Sequence, residues 1–286
     1  MNILVTGAKG QLGNEIKEVI QKSNTSWCYH FTDKSTLNIT QKKDIEHFIL
    51  NNDIDIILNC AAYTDVDGAE EDADNAFLIN GTAVGYLAEA AQKHNTYLIH
   101  ISTDYIFNGK NYIPYKEDNT PNPESTYGKS KLEGEKQVIR NNAGIIIRTS
   151  WLYSSFGKNF VKTITKLAKE SKELKVVYDQ IGSPTYAHEL AKCIVNIMRA
   201  DLEKHKGEIY HFANEGVCSW YDLAKEVTTQ LKLNCIIHPV ESNEFPTKAQ
   251  RPPYSVFNKE KIKKHFKIKI PHWKDSLTEM LETSNH

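Results

Sequence analysis

Along the first half of the chain, short apolar runs alternate with longer stretches whose apolar positions recur every three or four residues. "NILVTG", "SWCYHF", "IDIILNCAAY", "YLIHIST" and "GIIIRTSW" read as strands, apolar almost throughout. Between them, "GQLGNEIKEVIQKS" and "DADNAFLINGTAVGYLAEAAQKH" carry the helical period. Strands apolar on both faces and separated by helices belong to a parallel sheet, because βαβ crossovers lay helices over both of its sides. The pattern predicts a doubly wound α/β fold.

Past residue 150 the rhythm loosens. A helical "GKNFVKTITKLAKE" is followed by "LKVVYDQIGSPTY", a helix from about Ala187, the strand-like "EIYHFAN", the helical "WYDLAKEVTTQLK" and a tail with Pro246, Pro252, Pro253 and Pro271. This predicts a Rossmann-like dinucleotide-binding domain over 1–150, completed by part of 187–215. Residues 151–286 are then mostly a smaller C-terminal substrate-binding subdomain.

Composition narrows the partners. The chain has 286 residues, enough for a sizeable core. Its 35 Lys and Arg nearly cancel 36 Asp and Glu, so it lacks the basic footprint of a nucleic-acid binder or of a protein that seats on an anionic membrane. No apolar run approaches the roughly 18 residues of a membrane span, and "MNILVTGAKG" enters a strand with no basic leader, which reads as cytoplasmic. Five scattered cysteines without close pairs, and eleven histidines without HExxH, predict no protein-built metal cage. A small molecule is the expected partner.

"ILVTGAKGQLGNEI" sets Gly7, Gly10 and Gly13 between the first strand and the first helix. A turn without Cβ atoms lets the backbone approach a pyrophosphate, and the helix that follows supplies N–H donors and a positive dipole end. The bland alternative is a plain tight turn. About twenty residues on, Asp33 stands where an acid holds the adenosine ribose hydroxyls, while Lys9 and Lys34 offer charge to a 2′-phosphate. An acid favours NADH and a lysine NADPH, so this segment leaves the choice open. Solvation alone would also account for these charges.

In "STYGKSKLEGEK", Tyr127 precedes Lys131 by four residues, one helical turn on the same face. Tyr112 with Lys116 and Tyr221 with Lys225 share that spacing, so spacing alone decides nothing. The first rival pair encloses Pro114, which opposes a regular helix, and the second lies far beyond the strands that would present a cofactor. What distinguishes Tyr127 and Lys131 is the company of the glycine loop and of the strand ending "HISTDYIFNG", whose Thr103 would reach the same crevice at the C-terminal edge of the sheet.

Glycine loop, Thr103, Tyr127 and Lys131 together resemble the extended short-chain dehydrogenase/reductase family over nearly the whole chain. The resemblance implies that Thr103, Tyr127 and Lys131 act as one catalytic unit, with Asn80 in support. Ketone reduction needs a hydride from nicotinamide and a proton for the developing alkoxide. Tyr127 would give the proton, its pKa lowered by the Lys131 ammonium and the nicotinium charge; Lys131 would also reach the nicotinamide ribose; Thr103 would donate to the carbonyl oxygen.

Further blocks, among them "GAKGQLG", "LNCAAYTDVDGAE", "STDYIFNG", "IIRTSWLYS", "GKNFV", "DQIGSPTYAHELA" and "QRPPYSVF", resemble the branch of that family that reduces dTDP-linked 4-keto sugars. The implied reaction is NADPH-dependent reduction of the C4 ketone of dTDP-4-dehydro-β-L-rhamnose, with NADH left open. The resemblance carries the cofactor contacts to Gly7, Lys9, Gly10, Gln11, Leu12, Gly13, Asp33, Lys34, Leu37, Asn38, Ala61, Ala62, Tyr63, Thr64, Asn80, Tyr127 and Lys131. It carries the sugar contacts to Thr103, Asp104, Tyr105, Tyr127, Trp151, Asn159 and Arg251. For the aromatic residues, core packing is the competing account.

Departures matter as well. Asn38 stands where family members usually have an acid. Some relatives bind Mg²⁺ at a dimer interface through acids that include the position of Glu15, but here the second acid falls on His188, with Glu189 displaced by one; a homodimer is left open. Related dehydratases carry Asp and Glu directly after the threonine, whereas Asp104 is followed by Tyr105. Two alternatives stay in view: a nucleotide-sugar 4-epimerase that keeps its NAD, and a noncatalytic subunit of the kind that regulates methionine adenosyltransferase.

Overall fold

The computed structural model describes residues 1–23 and 25–283. Strands β1 (Asn2–Thr6), β2 (Cys28–Phe31), β3 (Ile56–Asn59), β4 (Tyr97–Thr103) and β5 (Gly144–Thr149) come from the five runs read as strands. Beyond them follow β6 (Leu152–Tyr153), β7 (Glu173–Val177), β8 (Ile181–Gly182), β9 (Thr185–Tyr186), β10 (Ile209–Phe212), β11 (Cys218–Ser219) and β12 (Ile236–Val240). Six of these form one sheet in the order β10-β5-β4-β3-β1-β2, parallel at every pairing. The doubly wound α/β fold is the observed one.

Alternation along the strands sorts side chains into two layers. Ile3 and Val5 of β1 face the helices Gln11–Gln21 and Ala187–Ile197, while Leu4 between them faces Lys42–Asn51 and Ala83–Lys93. Each fully buried Ile or Leu contributes about 1.5–3 kcal/mol, so both faces must stay covered. The order of strand addition reverses at β1, with β2 on one side and β3 on the other, and ligands of such sheets bind outside the strand ends at that point. Register aligns those ends: Thr6 lies opposite Asn59, and Thr103 opposite Thr149.

The C-terminal half divides its residues between two cores. Ile194, Tyr210, Phe212, Ile262 and Phe266 join the sheet's own core, whereas Tyr153, Val161, Leu223, Ala224, Leu277 and Met280 build a separate cluster under the helices Phe160–Glu170, Trp220–Gln230 and Trp273–Thr283. No helix among the described residues is long and apolar enough to cross a membrane.

Two elements differ from the sequence reading. The helix expected over "DADNAFLINGTAVGYLAEAAQKH" is interrupted by a π turn, Leu78–Thr82, between Ala73–Phe77 and Ala83–Lys93. π turns often mark functional sites, and this one carries Asn80. The strand expected through Trp151 stops at Thr149, because Trp151 turns into the left-handed region at φ 48°.

Candidate active site

A cleft of about 830 Å³ opens across the C-terminal edge of the sheet. At its base β1 runs into Gly7, held at φ 65°, where a Cβ atom would lie 2.7 Å from the Ala61 nitrogen. At Gly13 a Cβ would come within 2.6 Å of Ala8 Cα. Only glycine lets turn, helix and the β3 exit pack so closely. The helix Gln11–Gln21 starts at Gly10 with no side-chain cap and no acid in its first turn, so its unsatisfied N–H groups and positive dipole end point to a phosphate. This cradle fits a dinucleotide. Beside it the Lys9 ammonium pairs with Asp33. That contact, with hydrogen bonds from the Ser35 hydroxyl and backbone, holds the Asp33 carboxyl far below its ordinary pKa.

The reactive groups sit where β4 meets the helix Thr126–Arg140. Ser125 caps that helix through Gly128 N, and the Glu70 carboxylate takes both Thr126 N (2.8 Å) and Thr126 Oγ1 (2.7 Å). Tyr127 and Lys131 therefore project from a pinned helix start. Lys131 is 2% exposed, and its Nζ donates to the Ile101 carbonyl at 2.6 Å. Burial pulls the ammonium down to about 8, against the opposing pull of Glu135 and Cys60. Tyr127 is held the other way: burial raises its phenol well above 10, and a hydrogen bond with Thr103 offsets part of the rise. The expected lowering of Tyr127 by the Lys131 ammonium is thus not what the protein alone supplies. Desolvation is the largest cause, the charge of Asp104 adds to it, and the Lys131 donor is turned to a backbone carbonyl.

Asn80 stands behind this wall, fully buried. Its amide accepts from Tyr63 N (2.9 Å) and donates to Tyr63 O (3.0 Å) and Ser130 Oγ (3.0 Å), and Ser130 in turn bonds the Tyr127 carbonyl. It ties the β3 exit loop to the catalytic helix. Glu135, one turn past Lys131, is clamped by the buried Arg148 guanidinium through two bonds of 2.9 and 2.7 Å.

On the sugar side, Asp104 is 2% exposed and accepts from Thr103 Oγ1 at 3.0 Å. Burial lifts its carboxyl to about 6, with hydrogen bonds from Ser255 and Thr103 opposing. Tyr105 packs edge-on against Tyr127 at 5.5 Å, and its hydroxyl accepts from Arg251 at 3.2 Å. Burial raises the Tyr105 phenol to about 12, so it stays protonated at neutral pH.

Of the residues expected from sequence, Gly7, Lys9, Gly10, Gln11, Leu12, Gly13, Asp33, Lys34, Leu37, Asn38, Ala61, Ala62, Thr64, Thr103, Asp104, Tyr105, Tyr127, Lys131 and Trp151 line this one cleft. Four expected residues are placed elsewhere. Tyr63 packs with Val66 and Tyr105 against the cluster of Ala69 and Ala76, and Asn80 lies behind the wall. Asn159 caps the helix Phe160–Glu170 and donates to Gln11 Oε1 at 3.0 Å, so it braces the glycine loop from behind. Arg251 is spent on Asp67 (2.8 Å) and Tyr105. Sequence reasoning missed Cys60, Val66, Asn75, Leu78, Ile79, Ser150 and Lys158, which also line the cleft. The π turn that brings Leu78 and Ile79 inward leaves no mark in a helical pattern. The rival pairs stay apart from the cleft: Tyr112 is 89% exposed outside any helix, and Tyr221 and Lys225 sit on Trp220–Gln230.

The Mg²⁺ raised by resemblance does not fit the residues present. Glu15 is buried with Oε1 accepting from Ser154 Oγ (2.7 Å) and Oε2 against His188 Nδ1 (2.9 Å), which leaves its carboxylate committed within the chain. Among the described residues no group of three or more His, Cys, Asp or Glu is arranged to hold a metal ion.

A parallel sheet with a glycine cradle, and with threonine, tyrosine and lysine gathered at its C-terminal edge, defines the extended short-chain dehydrogenase/reductase class. The chain belongs to the family described as RmlD substrate binding domain, which matches residues 1–286. It is 39% identical over 281 residues to the spore coat polysaccharide biosynthesis protein SpsK of Bacillus subtilis, covering 98% of this chain and 96% of that one. It is 39% identical to the dTDP-4-dehydrorhamnose reductase of Aggregatibacter actinomycetemcomitans, covering 96% of each. A crystal structure of dTDP-4-dehydrorhamnose reductase from Bacillus anthracis in complex with NADP superposes with a TM-score of 0.93 at 36% identity, covering 99% of both chains.

Proposed function

We propose that this protein reduces the C4 ketone of dTDP-4-dehydro-β-L-rhamnose to dTDP-L-rhamnose with NADPH. The observation that carries the reading is the convergence of Thr103, Tyr127 and Lys131 beside the glycine cradle in one cleft. The names of the relatives and the NADP complex of the Bacillus anthracis enzyme support the substrate and the cofactor.

NADPH, when bound in the cradle of Gly7, Gly10 and Gly13, supplies the hydride. The protein's own residues do the rest. Tyr127 enters the reaction as a neutral phenol, because burial holds its proton firmly. It passes that proton to the oxygen as negative charge develops there. The Thr103 hydroxyl, which donates to Asp104 Oδ1 in this structure, would turn its hydrogen to the same oxygen and stabilise the charge forming there. Lys131 holds positive charge one turn from the phenol, favouring the phenolate left behind. Ala69, Ala76, Val66 and Tyr105 pack around Tyr127 and bury its ring at the side of the cleft, which lowers the local dielectric and strengthens these contacts.

Asp104 and Tyr105 set the reaction type apart from dehydration, which needs an acid and a base over neighbouring carbons. A phenol held to about 12 makes Tyr105 a poor base, so the carboxyl pair of a dehydratase is incomplete. The test mixes the protein with NADPH and dTDP-4-dehydrorhamnose and follows nicotinamide absorbance. Catalytic oxidation is the expected result. Tightly bound cofactor without net oxidation would indicate an epimerase, absence of turnover a noncatalytic subunit, and a 4-keto-6-deoxy product from dTDP-glucose with NAD a dehydratase.

A further inference from the structure

Trp151 carries a backbone conformation that residues with a side chain rarely adopt, at φ 48°. Its surroundings leave it no alternative. The Trp151 carbonyl accepts from Thr185 N at 3.1 Å, and the preceding Ser150 Oγ donates to the Ser183 carbonyl at 2.8 Å. Strain of this kind persists only where the fold over-determines it, and it concentrates at working sites.

The indole is clamped as well. Trp220 stacks on it with ring centroids 3.6 Å apart and planes within 7°. Gly182 closes in with its backbone: a Cβ there would lie 2.6 Å from Trp151 Cε2 and 2.8 Å from Cζ2. One short ladder holds both clamps, since β8 pairs antiparallel with β11, setting Gly182 opposite Cys218 two residues before Trp220. Trp220 is itself fixed by Phe160 at 4.5 Å and by its Nε1 donating to Gln180 Oε1 at 3.2 Å.

Trp151 nevertheless lines the cleft. Thr149 pairs with Thr103 across β5 and β4, so Trp151 emerges two residues beyond the reacting end of the sheet. A nucleotide-linked sugar that reacts beside Thr103 and Tyr127 must bring its hexose ring there, and its base must lie further out. An aromatic plane suits the apolar C–H face of a pyranose.

We propose that Trp220 and Gly182 are positioning residues for sugar specificity, locking the Trp151 indole as a fixed plane against the hexose ring. This rests on the reductase reading above, and the test keeps the two separable. Trp220→Ala is expected to raise the KM for dTDP-4-dehydrorhamnose about tenfold or more, with the NADPH KM and inhibition by dTDP alone unchanged. Trp220→Phe keeps a ring over Trp151 and is expected within about threefold of the native enzyme. Two stacked indoles also give a coupled circular-dichroism band, readable without turnover. That band is expected in the native protein, absent in Trp151→Phe and weakened in Gly182→Ala together with a raised sugar KM. A native protein without the band, a Phe variant as impaired as the Ala variant, an unchanged sugar KM, or an equal loss of dTDP affinity would each overturn the assignment. Failure of NADPH oxidation in the native protein would strike the reductase reading alone, since the band and its response to Gly182→Ala do not depend on it.

Discussion

Lys131 Nζ donates to the carbonyl of Ile101 at 2.6 Å, which anchors the ammonium on β4 one helical turn along from Tyr127. The pair met in the sequence as a spacing is thus braced across two elements. Its buried cation, with a pKa near 8, dominates the expected pH behaviour.

Because burial lowers Lys131, the charged form is lost as pH rises through about 8, and kcat/KM for reduction should fall across that range. Lys131→Arg, charged at every accessible pH, should move the basic limb upward even where its rate is lower. Lys131→Met should lower kcat and raise the NADPH KM together. A limb unmoved in the Arg variant would assign the titration to another group.

Tyr127→Phe should cost about 10² to 10⁴ in kcat with NADPH affinity intact, since the ring still packs against Tyr105 and only the proton donor is gone. Fluorescence titration with NADPH alongside steady-state kinetics separates the two effects. Native turnover in this variant would remove Tyr127 from its role.

At the adenosine end, Lys9 pairs with Asp33 while Lys34 stands exposed nearby. NADPH should serve at least as well as NADH. Lys9→Ala or Lys34→Ala should reduce the preference for NADPH by about threefold to tenfold, the range of a partly solvated charge-assisted bond. A preference for NADH untouched by either change would show that Asp33 governs the site.

Asp104 should leave a signature in stability. Its folded pKa, raised to about 6 by burial, exceeds its unfolded value near 3.8, so the folded state holds the proton more tightly. The favourable contribution is fully present below pH 4 and lost as pH rises to 6, a change of about 3 kcal/mol. Asp104→Asn, which is neutral throughout, should gain stability relative to the native protein across that window. Urea unfolding at pH 4 and pH 7 measures the difference; equal offsets at both would contradict it.

Asn80→Ala would strand the N–H and carbonyl of Tyr63 and remove the donor to Ser130 Oγ, which keeps its bond to the Tyr127 carbonyl. Loss of about 2 kcal/mol or more is expected. Asn80→Asp restores an acceptor for Tyr63 N but no donor for Tyr63 O, and thermal unfolding should rank it between native and alanine.

How much was legible in the sequence depended on the range of the physics involved. Strands β1 to β5, the glycine turn and the pairing of Tyr127 with Lys131 follow from local rules: periodicity, the need for missing Cβ atoms, and the geometry of one helical turn. Those rules act within a few residues, so the chain by itself determined the fold class, the glycine cradle and the Tyr127 and Lys131 pair, while most other expected lining residues came from family resemblance. Arg251 shows where they end, because its engagement by Asp67 and Tyr105 joins residues far apart in the chain. The π turn at Asn80, the left-handed Trp151 and its clamps, and the opposite shifts of Tyr127 and Lys131 likewise arise only when distant segments pack. Burial and desolvation belong to the assembled molecule, and only the tertiary structure could decide that Tyr127 keeps its proton while Lys131 is brought close to losing its own.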